Sequence, residues 1–226
     1  MTRWAAALAA LALLAAAVVA LSRKPAEKPA LLLLTSLPIL FGDGFALDAE
    51  PAPLLSALEQ GYRVVPIDVT DPTSLARGKL LLLAQPRAQT PANLVALDRW
   101  VRDGGRMVLF ADPRLEWESA RPLGDVTRPP PMFADTGLLG HWGLRLDAPE
   151  ATGLVIGEIE GQAIHARSAG TLVATGGSCA IEEGGLVARC AIGRGRAIVV
   201  ADADILDEAN GAGGAAAALA LLDSLQ

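Results

Sequence analysis

The fold is decided by residues 79–114, whose sequence is KLLLLAQPRAQTPANLVALDRWVRDGGRMVLFADPR. Two segments dominated by apolar residues, LLLLA at 80–84 and RMVLFA at 106–111, have the length of strands, and they lack the alternation of a half-exposed strand. Between them, residues 90–105 contain a Thr-Pro helix start, an apolar stripe at helical spacing and a terminal pair of glycines. The stretch therefore predicts one βαβ unit of a parallel α/β sheet.

The same pattern extends on both sides of this unit. Further strands are predicted at residues 30–34, 62–68 and 196–201, and a closing helix at residues 215–225. Pro66 lies within the second of these strands, which indicates an edge position. Residues 152–195 instead form short segments separated by glycine turns, which is typical of antiparallel hairpins.

The N-terminus is a separate segment. Residues 4–21, WAAALAALALLAAAVVAL, form an apolar run without a polar face, and basic residues flank it. A transmembrane anchor and a cleaved signal peptide both fit this run, because it is slightly short for a span and lacks the polar break that usually precedes a cleavage site. We favour the anchor, which is followed by a linker at residues 22–29 and a globular domain at residues 30–226.

Composition limits the possible functions. The formal net charge is −6 and the pI is near 5.0, whereas a nucleic-acid-binding domain needs a basic surface. We therefore predict no nucleic-acid partner. Aromatic residues make up only 4% of the chain, so the core is predicted to be mainly aliphatic.

The two cysteines, Cys179 and Cys190, are equidistant from the pair Gly184-Gly185. A hairpin that turns at these glycines places the two thiols opposite each other, where they can form a disulfide, although two free buried thiols also fit the spacing. With the export-type N-terminus, the disulfide is the favoured interpretation, and it predicts an oxidising compartment. The basic residues after the apolar run argue for the opposite orientation, with the domain in the cytoplasm.

The candidate binding residues follow the predicted strands: Gln85, Arg87, Asp112, Asp202 and Asp204. Open α/β sheets bind ligands beyond the carboxyl ends of their strands. The three aspartates could converge there on a divalent cation or a polyol, or they could simply cap turns. Arg87 could hold an anionic ligand or remain a solvated loop charge.

Other chemistries lack the residues they need. His141 and His165 are not at zinc-ligand spacing, so we predict no metal site of that type. The glycines at 193 and 195 lie in a predicted hairpin and do not open a helix, as a nucleotide-binding loop would. No G-x-S-x-G motif occurs in the sequence. We predict no catalytic residue and no cofactor.

Four segments together resemble a known family. They are LLLAQPR at 81–87, ALDRWVRDGGR at 96–106, MVLFADP at 107–113 and IGRGRAIVVADADIL at 192–206. The pattern is similar to the extracytoplasmic domain of GldG-type proteins, which are auxiliary components of ABC-type transport systems, and to related domains with a class I glutamine-amidotransferase-like fold. The turn at residues 110–113, where such amidotransferases carry a cysteine nucleophile, has neither cysteine nor serine.

The resemblance implies an α/β fold with a flavodoxin-like or amidotransferase-like parallel sheet and appended antiparallel hairpins, preceded by one transmembrane helix. It also implies a non-catalytic binding or scaffold domain in the bacterial periplasm, tethered to the inner membrane through residues 4–21 beside a membrane-protein complex. The alternative hypothesis is an exported hydrolase that acts on envelope carbohydrate or peptide through the aspartate cluster.

Overall fold

A computed structural model describes residues 27–40, 52–211 and 213–226. The predicted anchor at residues 1–21 and most of the predicted linker lie outside these ranges. Among the helices of the described ranges, none combines the length and the apolar character needed to cross a membrane.

The described residues form eleven strands and five α-helices. The strands are β1 (Ala30–Thr35), β2 (Arg63–Pro66), β3 (Leu80–Ala84), β4 (Arg106–Phe110), β5 (Leu144–Asp147), β6 (Leu154–Ile159), β7 (Gln162–Arg167), β8 (Thr171–Ala174), β9 (Cys179–Glu182), β10 (Val187–Ile192) and β11 (Gly195–Val200). The helices are α1 (Pro53–Gly61), α2 (Pro72–Leu75), α3 (Pro91–Arg102), α4 (Leu138–His141) and α5 (Gly214–Ser224).

Seven strands form the central sheet, in the order β2-β1-β3-β4-β11-β10-β9. The first five are mutually parallel, which confirms an α/β fold with a mostly parallel sheet. Strand β2 lies at the edge, where the missing N–H of Pro66 breaks no inner hydrogen-bond ladder.

Successive residues of the inner strands enter two separate cores, because side chains alternate across a sheet. On one face, Leu31 and Leu33 pack with the buried sides of α1 and α5. On the other face, Leu32 and Leu34 pack with α2 and α3. The continuous apolar runs seen in the sequence are therefore explained by burial on both faces.

The central βαβ unit has the predicted helix ends. Thr90 Oγ accepts the backbone N–H of Asn93 at 3.3 Å, and Pro91 occupies the first helical position. After the helix, Gly104 has φ +104°, which favours glycine, and a Cβ on Gly105 would lie 2.3 Å from the Trp100 ring. The double glycine is thus required by both the turn and the packing.

The antiparallel region differs partly from its prediction. Strands β6 and β7 form a separate hairpin and β5 pairs with β8, but β9 and β10 extend the main sheet beyond β11. Strands β9 and β10 are therefore part of the main sheet and not an appendage, because the backbone groups on the side of β11 away from β4 pair with β10. The Cys179–Cys190 pair faces directly across β9 and β10 and forms the predicted disulfide.

Candidate functional site

A buried polar centre lies at the carboxyl ends of β3, β4 and β11. Gln85 follows β3 with φ +46°, an uncommon left-handed conformation for a residue other than glycine. Its side chain is fully buried: Oε1 accepts the N–H of Asp112 at 2.9 Å, and Nε2 donates to the carbonyls of Asp112 and Pro130 at 3.2 Å. Gln85 thereby holds the loop after β4 against the end of β3.

The strand register explains why two of the predicted aspartates meet. Phe110 of β4 pairs with Val200 of the neighbouring parallel strand β11. Asp112 and Asp202 each follow two residues later, so they leave the sheet side by side. Asp204 joins them because the chain turns into a short 3₁₀ helix at Asp204–Leu206. One carboxylate oxygen from each aspartate lies within 4.8 Å of the other two, and all three residues have 0% exposure.

Backbone N–H groups surround this aspartate cluster, which we define as Asp112, Asp202 and Asp204. The carboxylate of Asp112 accepts N–H groups from Arg114 at 2.7 Å and Ala203 at 2.9 Å. Asp202 accepts the N–H of Ile205 at 2.9 Å and that of Arg167, the last residue of β7, at 2.7 Å. The aspartates therefore cap turns, one of the two roles predicted from the sequence, and they also join separate segments.

Asp204 connects the cluster to the long loop at residues 111–137. Its Oδ2 accepts the N–H of Glu116 at 2.7 Å, whereas its Oδ1 is buried without a hydrogen-bond partner. Glu116 Oε1 in turn accepts the hydroxyl of the buried Ser168 at 2.5 Å. The guanidinium groups of Arg114 and Arg167 approach the Glu116 carboxylate at 3.6 and 3.8 Å.

Burial dominates the electrostatics of the cluster. Desolvation, reinforced by the nearby charge of Asp112, raises the pKa of the Asp202 carboxyl to about 8. Desolvation also raises the pKa of Asp204 to about 7, and it raises the pKa of Asp112 against the opposing effect of its backbone N–H donors. Three buried carboxylates at this distance cost free energy when all are ionised, because they are desolvated and repel one another. Protons or a cation must therefore offset their charge.

Arg87 lies apart from these residues. Its guanidinium is exposed and donates to the Arg128 carbonyl at 2.6 Å, so it fastens the long loop from outside. The structure thus brings together four of the five predicted residues: Gln85 and the three aspartates.

Sequence reasoning missed the outer partners of the cluster, Glu116, Arg167 and Ser168. Glu116 lies in an aperiodic loop, and the other two lie at the end of a hairpin more than 30 residues before Asp202. No spacing in the sequence indicates that these segments meet. The position of the aspartates directly after predicted strands is the one pattern in the sequence that indicates the site.

The tip of the long loop, defined as residues 121–128, is a second notable surface. Leu123 is 89% exposed and Val126 is 81% exposed, although both are apolar. The tip is ordered by its own hydrogen bonds: Asp125 accepts the N–H and the hydroxyl of Thr127 at 2.7 and 2.6 Å. The tip is therefore an ordered loop that presents two apolar side chains to solvent.

Comparison with known protein families gives one match. The model of a family described as ABC-type uncharacterized transport system matches residues 20–159, more than half of the 226 residues. No match was found among curated protein sequences.

Two solved structures share the fold, and a third shows a weaker similarity. An exo-β-1,4-mannosidase from Opitutaceae bacterium strain TAV5 aligns with a TM-score of 0.54 and 14% identity, over 87% of this chain and 36% of the mannosidase. A cytoplasmic protein from Salmonella typhimurium LT2 aligns with a TM-score of 0.52 and 12% identity, over 87% of this chain and 99% of that protein. A protein described as ThuA-like from Bacteroides uniformis aligns with a TM-score of 0.45 and 11% identity, over 90% and 92% of the two chains. For the mannosidase and the Salmonella protein, the likeness at these identities concerns the fold alone, and this chain spans about a third of the mannosidase.

Proposed function

The chain belongs to the family described as ABC-type uncharacterized transport system, and on this premise we propose that it is a non-catalytic, membrane-tethered auxiliary domain of an ABC-type transport complex. The match over residues 20–159 is the observation that carries the proposal. The buried cluster is consistent with a non-catalytic role, because its carboxylates have 0% exposure and most of their oxygens accept backbone N–H groups.

The proposed location is the periplasmic side of the inner membrane. Two features support it: the apolar run at residues 4–21, which is suited to an anchor, and the Cys179–Cys190 disulfide. Disulfides persist mainly in oxidising compartments. Protease treatment of intact spheroplasts tests this part of the proposal: an extracytoplasmic domain is digested without detergent, whereas a cytoplasmic domain is protected until the membrane is dissolved.

The GldG-type and amidotransferase-like resemblance forms the finer part of the proposal. It is supported by the parallel sheet and by the turn after β4, residues 110–113, which lacks a nucleophile. An amidotransferase-like fold without a nucleophile is expected to bind or scaffold and not to hydrolyse glutamine. Measurable glutaminase activity of the purified full chain, lost in an Asp112→Asn variant, would argue for the enzyme hypothesis instead.

The loop tip at residues 121–128 is the surface that we propose to contact the transport complex. Leu123 and Val126 supply the apolar contact area, and Arg121 and Arg128 stand beside them within the tip. The expected partner surface on the permease is therefore an apolar depression with acidic residues at its rim.

Site-specific photo-cross-linking tests this surface in the full chain in its native membrane. A photoreactive residue at position 123 is expected to cross-link to an ABC-type permease or ATPase subunit, identified by mass spectrometry. Position 95 is the matched control, because Val95 is also apolar and 66% exposed but lies on helix α3. Equal cross-linking from both positions would remove the loop tip from the proposal. The absence of any transport subunit among the products would remove the transport role.

A further inference from the structure

We propose that Asp112, Asp202 and Asp204 bind one hard divalent cation of the Ca²⁺ or Mg²⁺ class, which fastens the long loop and the β6–β7 hairpin to the sheet. The inference is independent of the transport role. It requires only the local arrangement of carboxylates, which are the ligands that these cations prefer.

The spacing of the carboxylates suits a shared ion. Protein oxygens bind Ca²⁺ at about 2.3–2.6 Å, so two oxygens on opposite sides of one ion lie roughly 5 Å apart. One oxygen from each of the three aspartates lies within 4.8 Å of the other two. A single cation can therefore contact all three without any rearrangement of the strands.

An unpartnered atom points independently to a ligand. Asp204 Oδ1 is buried without a hydrogen-bond partner, and the residue has 0% exposure. A buried polar atom without a partner is rare, because its lost hydration is not replaced by any hydrogen bond. A cation bound to this oxygen replaces that hydration, while Oδ2 continues to accept the N–H of Glu116.

The charges around the cluster leave room for a divalent ion. Four carboxylates meet here: those of the aspartate cluster and that of Glu116. The neighbouring guanidinium groups belong to Arg114 and Arg167, and both are directed at Glu116. With all groups ionised the set carries a net charge of −2, which one divalent cation neutralises.

The expected consequence is mechanical. The cluster already joins the long loop, through Asp112 and Glu116, to the turn after β11 and the end of β7. A cation at their junction adds ionic bonds that hold all three segments. Removal of the ion is therefore expected to loosen the long loop while the parallel strands stay folded.

Titration of the full chain tests the proposal. After chelator treatment and dialysis, CaCl₂, MgCl₂ and MnCl₂ are added in turn, and binding is followed by calorimetry and by the melting temperature. We expect one ion per chain and, at a hundredfold excess over Kd, a rise in Tm of about 5–10 °C. No heat and no change in Tm with any of the three ions would overturn the proposal.

Two variants locate the ion. Asp204→Asn keeps an oxygen for the Glu116 N–H but removes a charge, and it is expected to weaken binding at least about tenfold. Asp68→Asn is the matched control, because Asp68 is an exposed aspartate outside the cluster, and its affinity is expected to be unchanged. Binding that survives in both Asp204→Asn and Asp112→Asn would place the ion elsewhere and refute the site.

A measurement on the wild-type chain decides the location if the variants do not fold. Mn²⁺ is paramagnetic and broadens the amide resonances of nearby residues. The N–H groups of Arg167, Ala203 and Ile205 donate to the cluster and are expected to broaden first. Preferential broadening of other amides would contradict the assignment.

Discussion

The two flanks of the central sheet are stabilised in different ways. In the parallel flank, β1, β3 and β4 are buried on both faces by aliphatic side chains. In the antiparallel flank, the outermost strand β9 is largely exposed and is held by the Cys179–Cys190 disulfide. Arg189 of β10 adds ion pairs with Glu160 and Glu182. The parallel strands are thus covered on both faces, whereas the exposed edge strand β9 is linked to its neighbour β10 by a covalent bond and an ion pair.

The buried polar centre belongs to the parallel flank, because it lies where parallel β4 and β11 end. Its aspartates join these strand ends to the β6–β7 hairpin and the long loop, so changes there test how far the parallel flank depends on these segments.

The largest effect is expected from a cavity in the parallel flank. Leu82 of β3 has 0% exposure, and Leu82→Ala is expected to lower the free energy of unfolding by about 2–5 kcal/mol, through lost burial and an unfilled cavity. Ile181→Ala on β9 is the control: Ile181 is 36% exposed, so a loss below about 1 kcal/mol is expected. Chemical denaturation measures both, and equal losses would contradict the distinction between the flanks.

The next effect concerns the disulfide. Replacement of both cysteines by serine is expected to cost about 2–3 kcal/mol, because the bond closes a short loop with a sequence separation of 11. The loss should appear as earlier exchange of β9 and β10 amides, with β3 still protected, in hydrogen-exchange measurements. Uniformly faster exchange across the whole sheet would show that the parallel flank also depends on this bond.

A pH dependence of stability is expected from the buried polar centre of the parallel flank. The pKa of Asp202 is raised from 3.8 to about 8 and that of Asp204 to about 7, so between about pH 4 and pH 8 the folded protein holds protons that the unfolded chain has released. The stability that these protons provide is complete below about pH 4 and is lost as the pH rises to about 8, by at most about 1.4 kcal/mol per pH unit for each proton. Melting curves in chelator-containing buffer from pH 5 to 8 measure this decline.

Asp202→Asn is the matched variant for this experiment, because an amide is nearly isosteric with the protonated carboxyl. The decline in melting temperature is expected to become shallower in this variant. An unchanged pH profile would assign the dependence to other groups.

The smallest effect is expected at the ion pairs of the antiparallel flank. Arg189 is partly exposed and approaches Glu182 with Nε–Oε2 at 2.7 Å. Arg189→Ala is expected to cost below about 1 kcal/mol, because water screens such pairs. The loss should also shrink in 1 M salt. A salt-independent loss comparable with that of Leu82→Ala would place this arginine among the main supports of the flank.

Much of the parallel flank was predictable from local sequence. The continuous apolar runs, Thr90-Pro91 at the start of α3 and Gly104-Gly105 after its end depend on nearest-neighbour geometry, and the structure confirms them.

The sequence by itself determined the α/β class and the strands that are buried on both faces, because both follow from periodicity, and it favoured the pairing of Cys179 with Cys190, which the strand register then decided. It also placed three aspartates at strand ends. Only the tertiary structure decided that β9 and β10 continue the main sheet and that Glu116, Arg167 and Ser168 complete the buried centre. These contacts join residues far apart in sequence, and the register of neighbouring strands, which no local pattern encodes, brings them together.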